Sequence, residues 1–192
     1  IDACPGSTIT FAPGVTGQIN VNGPLVVDKN LTIQGPGADV LSLRGQGDRV
    51  LIVNSGNDVN VSGLTFTNGF TNFFGGAIVN NGNLTLGDSV VTASQAGEDG
   101  GAVFNTGALK IIGSTIYGNS AGRFGGGIYS ATGSLDLTNT TISGNTALLS
   151  GGGVYGGGTV RILNCTVMNN RADFDNNGTG TGGGFFNNNL IG

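Results

Sequence analysis

Apolar and polar residues alternate with period two in short stretches along most of this chain, and three such stretches recur in a fixed order. The first reads AIVN, AVFN, GIYS and GVYG after successive glycine pairs. The second is NLTL (Asn83 to Leu86), ALKI (Ala108 to Ile111), SLDL (Ser134 to Leu137) and TVRI (Thr159 to Ile162). The third is SVVT, STIY, TTIS and CTVM, beginning at Ser89, Ser114, Thr140 and Cys165. Period-two alternation bounded by Gly, Asn and Ser turns is the signature of half-buried strands, and no segment carries the 3.6 period of a helix.

The repeat is long and regular. Gly-Gly stands at Gly75, Gly100, Gly125, Gly151 and Gly182, in steps of 25, 25, 26 and 31 residues. A period of this length marks stacked units, each too small to bury a core alone. The first apolar residue of the second stretch extends the array backwards: Ile9, Leu31, Val59, Leu84, Leu109, Leu135 and Val160. Three strands per coil and about seven coils predict an all-β, right-handed parallel β-helix, the hand following from the near-universal right-handedness of parallel crossovers. Residues 1–192 form one such domain, with irregular first coils over 1–48 and regular Gly-Gly repeats over 49–192.

In-register stacking then assigns the columns. Ile78, Val103, Ile128, Val154 and Phe185 face inward, as do Val91, Ile116, Ile142 and Val167, and the paired positions Leu84/Leu86 to Val160/Ile162. Asn119, Asn145 and Asn170 recur at one turn and predict a side-chain amide ladder. Val53, Val79, Phe104, Tyr129, Tyr155 and Phe186 follow the inward column by one residue and are expected to face out. Phe104, Tyr129, Tyr155 and Phe186 thus form a candidate contact stripe for a glycan or another protein. Thr115, Thr141 and Thr166, with Thr65 earlier, form a second outward row that Val90, Tyr117 and Met168 interrupt; an ice-binding surface is a distant reading of it.

The motifs GGAI (Gly75 to Ile78), GGAV (Gly100 to Val103), IYGN (Ile116 to Asn119), ISGN (Ile142 to Asn145) and VMNN (Val167 to Asn170) resemble the β-helix repeats of polymorphic outer membrane proteins and related bacterial surface proteins. The last three look like a degenerate Phe-x-x-Asn motif, and the likeness covers most of residues 52–187. It implies export, a secreted or cell-surface location, and adhesive or structural work.

Composition narrows the chemistry. Glycine is 39 of 192 residues, and charged residues are only 9%, with a net charge of −4. The absence of basic clusters argues against nucleic acid as partner, and no apolar run is long enough to span a bilayer. There is no histidine, which removes His-dependent triads and zinc sites; together with the scatter of the carboxylates this sets the expectation of no catalytic residues, metal or cofactor. The carboxylates are scattered; only Glu98/Asp99 and Asp173/Asp175 are adjacent enough to suggest a calcium or lyase-type site. Lys110, Asp136 and Arg161 share one outward position and read as a surface ion ladder. Cys4 and Cys165 are the only cysteines and are expected at opposite ends, with Cys165 an inward small residue at the position of Ser114 and Thr140. Ile1 is not a start methionine, and the chain reads as a segment of a longer precursor.

Two roles follow as expectations. The leading one is a non-catalytic extracellular surface β-helix, an adhesin or structural module that self-associates end to end through strand pairing between the GGGFFNNNLIG segment and STITF (Ser7 to Phe11). The other is a polysaccharide-binding or polysaccharide-cleaving β-helix with the aromatic row as its sugar platform.

Overall fold

The computed structural model describes residues 3–173, 177–178 and 180–188. They form a β-solenoid of parallel strands with no helix, so no helix is long and apolar enough to cross a membrane. Three sheets run the length of the solenoid, each of seven parallel strands. Sheet 1 runs from Ser7–Thr10 to Thr159–Leu163, sheet 2 from Gly17–Val21 to Thr166–Met168, and sheet 3 from Leu25–Val27 to Phe185–Asn187. The chain visits sheets 1, 2 and 3 in turn, so each strand pairs with its equivalents one coil away. The expected three-strand, seven-tier coil is what the chain adopts.

A fourth, smaller sheet was not legible in the alternation. It joins the two-residue strands Phe70–Thr71, Gln95–Ala96, Ser120–Ala121 and Thr146–Ala147, and its second residue is buried in every coil. Two residues are too few to show a period, and the buried side chain is mostly Ala.

From Ile78 onward the inward columns of the internal coils are as expected: Ile78, Val103, Ile128 and Val154 are each 0% exposed, and Val91, Ile116 and Ile142 are comparably buried. Leu51 and Phe66 continue the same columns toward the first coil. Each regular coil adds about five apolar side chains to one continuous core, which supplies the burial that no coil achieves alone. Outside, Arg161 Nη1 lies 3.3 Å from Asp136 Oδ2, and Lys110 stands opposite Asp136 in register. Thr65, Val90, Thr115, Thr141 and Thr166 share one outward row of sheet 2, as read from the sequence.

Two phases differ from expectation. Val53 is buried, not outward; Ile52 pairs with Val79 and takes the outward position. Val50 to Val53 is an unbroken apolar run with no glycine pair ahead of it, so neither alternation nor punctuation fixes its phase. Ile9 pairs with Ile33, so Ser7, not Ile9, aligns with Leu31.

The two glycines of each pair do different work. The first adopts positive φ, as at Gly125 (63°), a conformation that strains residues carrying a Cβ. The second lies where the coils touch: a Cβ on Gly126 would collide with the carbonyl oxygens of Thr146 and Gly152 in the next coil.

Candidate functional site

The outward stripe begins with backbone geometry. Each sheet 3 strand is three residues long, and only its middle residue points away from the core. Register therefore lines up Val26, Ile52, Val79, Phe104, Tyr129, Tyr155 and Phe186 in one row. Coils are about 4.8 Å apart, close to the separation at which aromatic rings stack. Phe104 and Tyr129 have ring centroids 5.5 Å apart with planes 12° from parallel. Tyr129–Tyr155 and Tyr155–Phe186 follow at 5.0 Å each. Phe74 stacks on Phe104 from the preceding loop at 4.8 Å, and the Phe124 ring leans on Tyr155 at 4.9 Å.

This geometry decides what the stripe can offer. The rings turn their faces toward one another along the axis, and all four stripe aromatics are half-buried. Edges and phenol hydroxyls, rather than open faces, remain for a partner. A sugar platform uses an open ring face, so the stripe suits lateral contact with a packed surface better than sugar stacking.

A charged cluster flanks the stripe. Arg123 Nη1 is 3.4 Å from Glu98 Oε2, Arg123 Nε is 3.9 Å from Asp99 Oδ1, and the guanidinium sits 5.3 Å from the Phe124 ring centroid. The Asp99 side chain is only 6% exposed and accepts a bond from the Phe124 N–H. Burial raises its pKa above the ordinary 3.8, against the opposing pull of Arg123 and the Phe124 N–H; Glu98 adds to the rise. Burial likewise raises the Tyr129 phenol, with Asp99 and Tyr155 adding to the effect. Asp99 is thus a buried, hydrogen-bonded carboxylate in the wall of the loop column. Of the pair, only Glu98 offers a partly open carboxylate, and it already faces Arg123.

The amide ladder is present at the positions read from the sequence. Asn119 Nδ2 donates to Asn145 Oδ1 at 2.9 Å, and Asn145 Nδ2 donates to Asn170 Oδ1 at 2.9 Å. The same oxygens accept the backbone N–H of Asn119 and Asn145. Ser94 begins the column, its N–H bonded to Asn119 Oδ1. A second ladder was missed: Asn80 Nδ2 donates to Asn105 Oδ1 at 2.7 Å, and Asn105 Nδ2 to Ser130 Oγ at 3.0 Å. Its signal was the third residue of IVN, VFN and IYS, a polar residue at an inward position. Among the described residues no buried side-chain N or O lacks a partner, as a dry core requires.

Among the described residues, no three His, Cys, Asp or Glu side chains are grouped to hold a metal ion. Asp173 Oδ1 accepts from the N–H of Asn177, and Asp175 lies outside the described residues. Cys4 and Cys165 are free, the first exposed and the second half-buried against the core at the Ser114/Thr140 position. Cys165 is more open than expected because it lies in the last coil.

The two ends are apolar. At the first coil an open hollow of about 420 Å³ is lined by residues including Ile9, Phe11, Ile19, Leu25, Ile33 and Leu43. At the last coil Ile162 is 40% exposed, whereas Leu137 one coil below is fully buried. Within one copy Ser7–Thr10 lies in sheet 1 and Phe185–Asn187 in sheet 3, and residues 189–192 of the GGGFFNNNLIG segment lie outside the described residues. No known protein family, curated protein or solved structure matches the chain.

Proposed function

We propose that this chain is a non-catalytic extracellular module, an adhesin or structural β-helix of a secreted or surface protein, that self-associates end to end into filaments or a coat. The observation that carries the reading is where the recurring residues are used. The apolar columns, both amide ladders, the glycine pairs and the aromatic rings all serve contact between one coil and the next, while apolar surface collects at the two ends. Such a construction suits a rigid rod whose work is spacing and contact. The likeness to polymorphic outer membrane protein repeats, carried by GGAI, ISGN and their equivalents, supports a surface role.

Light scattering of the pure chain at rising concentration is the test. The reading expects mass to grow with concentration and elongated particles to appear in electron micrographs. A stable monomer at high concentration counts against it.

A polysaccharide-binding or polysaccharide-cleaving β-helix is the second reading, and the Glu98/Asp99 pair beside Phe124 is the observation in its favour. Incubation with acidic and neutral polysaccharides, with calcium present, separates the two. Oligosaccharide release that is abolished by Glu98→Ala would establish the second reading; the first expects no release.

A further inference from the structure

Resting on the end-to-end reading, we infer the joint itself: the last coil of one copy stacks in register on the first coil of a second copy, Ile162 on Ile9, Val167 on Ile19 and Phe185 on Leu25, with the Phe185 side chain entering the hollow of the first coil.

Three independent columns converge on this register. In sheet 1 the inward column runs Ile9, Ile33, Val61, Leu86, Ile111, Leu137, Ile162. In sheet 2 it runs Ile19, Leu43, Phe66, Val91, Ile116, Ile142, Val167. In sheet 3 it runs Leu25, Leu51, Ile78, Val103, Ile128, Val154, Phe185. Every column is apolar from its first tier to its last, so stacking a second copy brings apolar on apolar at all three corners of the cross-section. Each sheet also contributes the same number of strands, seven, so the first and last coils are both complete three-strand turns, and the joint sets sheets 1, 2 and 3 of one copy on sheets 1, 2 and 3 of the next.

Shape agrees with register. Phe185 is the largest side chain of its column, and the hollow opposite, about 420 Å³ and lined mainly by apolar side chains, is open above Leu25. In the internal tiers the inward side chains of all three columns are buried. A joint that left the hollow empty would forfeit packing that every internal tier has, which is the physical reason a second coil seats there. Ile162 and Ile19, 40% and 39% exposed, would become as buried as Leu137 and Leu43, their neighbours one tier inward. Among the described residues, Ser7–Thr10, Gly17–Val21, Thr159–Leu163 and Thr166–Met168 each pair along one edge only, and the joint pairs the other. Because the two contacting surfaces differ, the association is heterologous and does not close; it propagates.

The register fixes which outward residues meet: Arg161 falls opposite Thr8. The test is a Thr8→Cys/Arg161→Cys variant in a Cys4→Ser/Cys165→Ser background, oxidised after concentration. Within one copy these positions lie six tiers apart, about 29 Å along the axis, far beyond disulfide reach, so any bond joins two copies. The inference expects a ladder of covalent multimers on a non-reducing gel, at least tenfold stronger than for a Thr10→Cys/Arg161→Cys control two residues out of register. Multimers in solution without this preference would overturn the joint and leave end-to-end association standing. A monomer at every concentration would overturn both and leave the hollow to a coil of a different chain. Ile162→Asp is the second variant: at an exposed end position it leaves the circular dichroism unchanged and abolishes association, and association that persists contradicts the joint.

Discussion

Replacing Asn145 with Ala tests the amide ladder where it is most buried. The Asn145 side chain is 0% exposed and makes four bonds. Nδ2 donates to Ile116 O at 3.0 Å and to Asn170 Oδ1 at 2.9 Å; Oδ1 accepts from Asn119 N at 3.0 Å and from Asn119 Nδ2 at 2.9 Å. Truncation leaves some of these partners with other bonds. Asn119 Nδ2 still reaches Val91 O and Tyr117 O, and Asn170 Oδ1 still accepts the Asn145 N–H. The Asn119 N–H and the Ile116 carbonyl lose their side-chain partner, and a buried polar group left so costs about 1–3 kcal/mol. With the void added, Asn145→Ala should lose about 3–5 kcal/mol, a large share of a stability of roughly 5–15 kcal/mol. Asn145→Ser should lose less, because Ser94 holds the equivalent position and its Oγ accepts the Gly69 N–H. Urea unfolding followed by circular dichroism gives the free energies. Hydrogen exchange at Asn119 and its neighbours reports the local effect, which matters because solenoids can open in segments. A loss under about 1 kcal/mol for Asn145→Ala, with exchange at Asn119 unchanged, would refute the assignment of stabilising work to the ladder.

Gly126→Ala should destabilise by more than about 2 kcal/mol, since its Cβ meets backbone that side-chain rearrangement cannot relieve, whereas Gly118→Ala should cost about 1 kcal/mol or less, because Ala93 already holds that turn position at φ 50°; thermal melts rank the two. Asp99 has a raised pKa in the folded chain, so the folded state binds its proton more readily than the unfolded state, and this group's contribution to stability falls as pH rises above its ordinary 3.8. Asp99→Asn should flatten that part of the pH–stability curve between the ordinary carboxylate range and neutrality; an unchanged slope in urea titrations would contradict the assignment. Tyr129→Ser/Tyr155→Ser should weaken lateral bundling in micrographs while the solenoid stays folded, because these rings lie outside the core; unfolding of the double variant would show them to be structural.

Most of the fold was legible because a strand with one buried face prints its phase in alternation, and the glycine pairs print the period. Where both signals were present, from Gly75 onward, the inward columns, the Asn119–Asn145–Asn170 ladder and the row from Phe104 to Phe186 fall where the sequence places them. Where they were absent the phase slipped, by one residue at Val53 and by two at Ile9. The second ladder was hidden because Asn80 and Asn105 occupy an inward site that alternation assigns to apolar residues. The stacking of the stripe rings could not be read from residue types alone; it follows from the coil spacing, and it leaves ring edges rather than open ring faces toward solvent.

Fibre diffraction from the concentrated, aligned chain tests the central claim most directly, namely that contacts between coils continue between copies. The account predicts a meridional reflection near 4.8 Å together with an axial repeat of about 34 Å, seven coils of one copy placed directly on the next. An ordered fibre with a repeat twice as long, the mark of copies meeting like end to like end, or no axial order in concentrated protein, would contradict it.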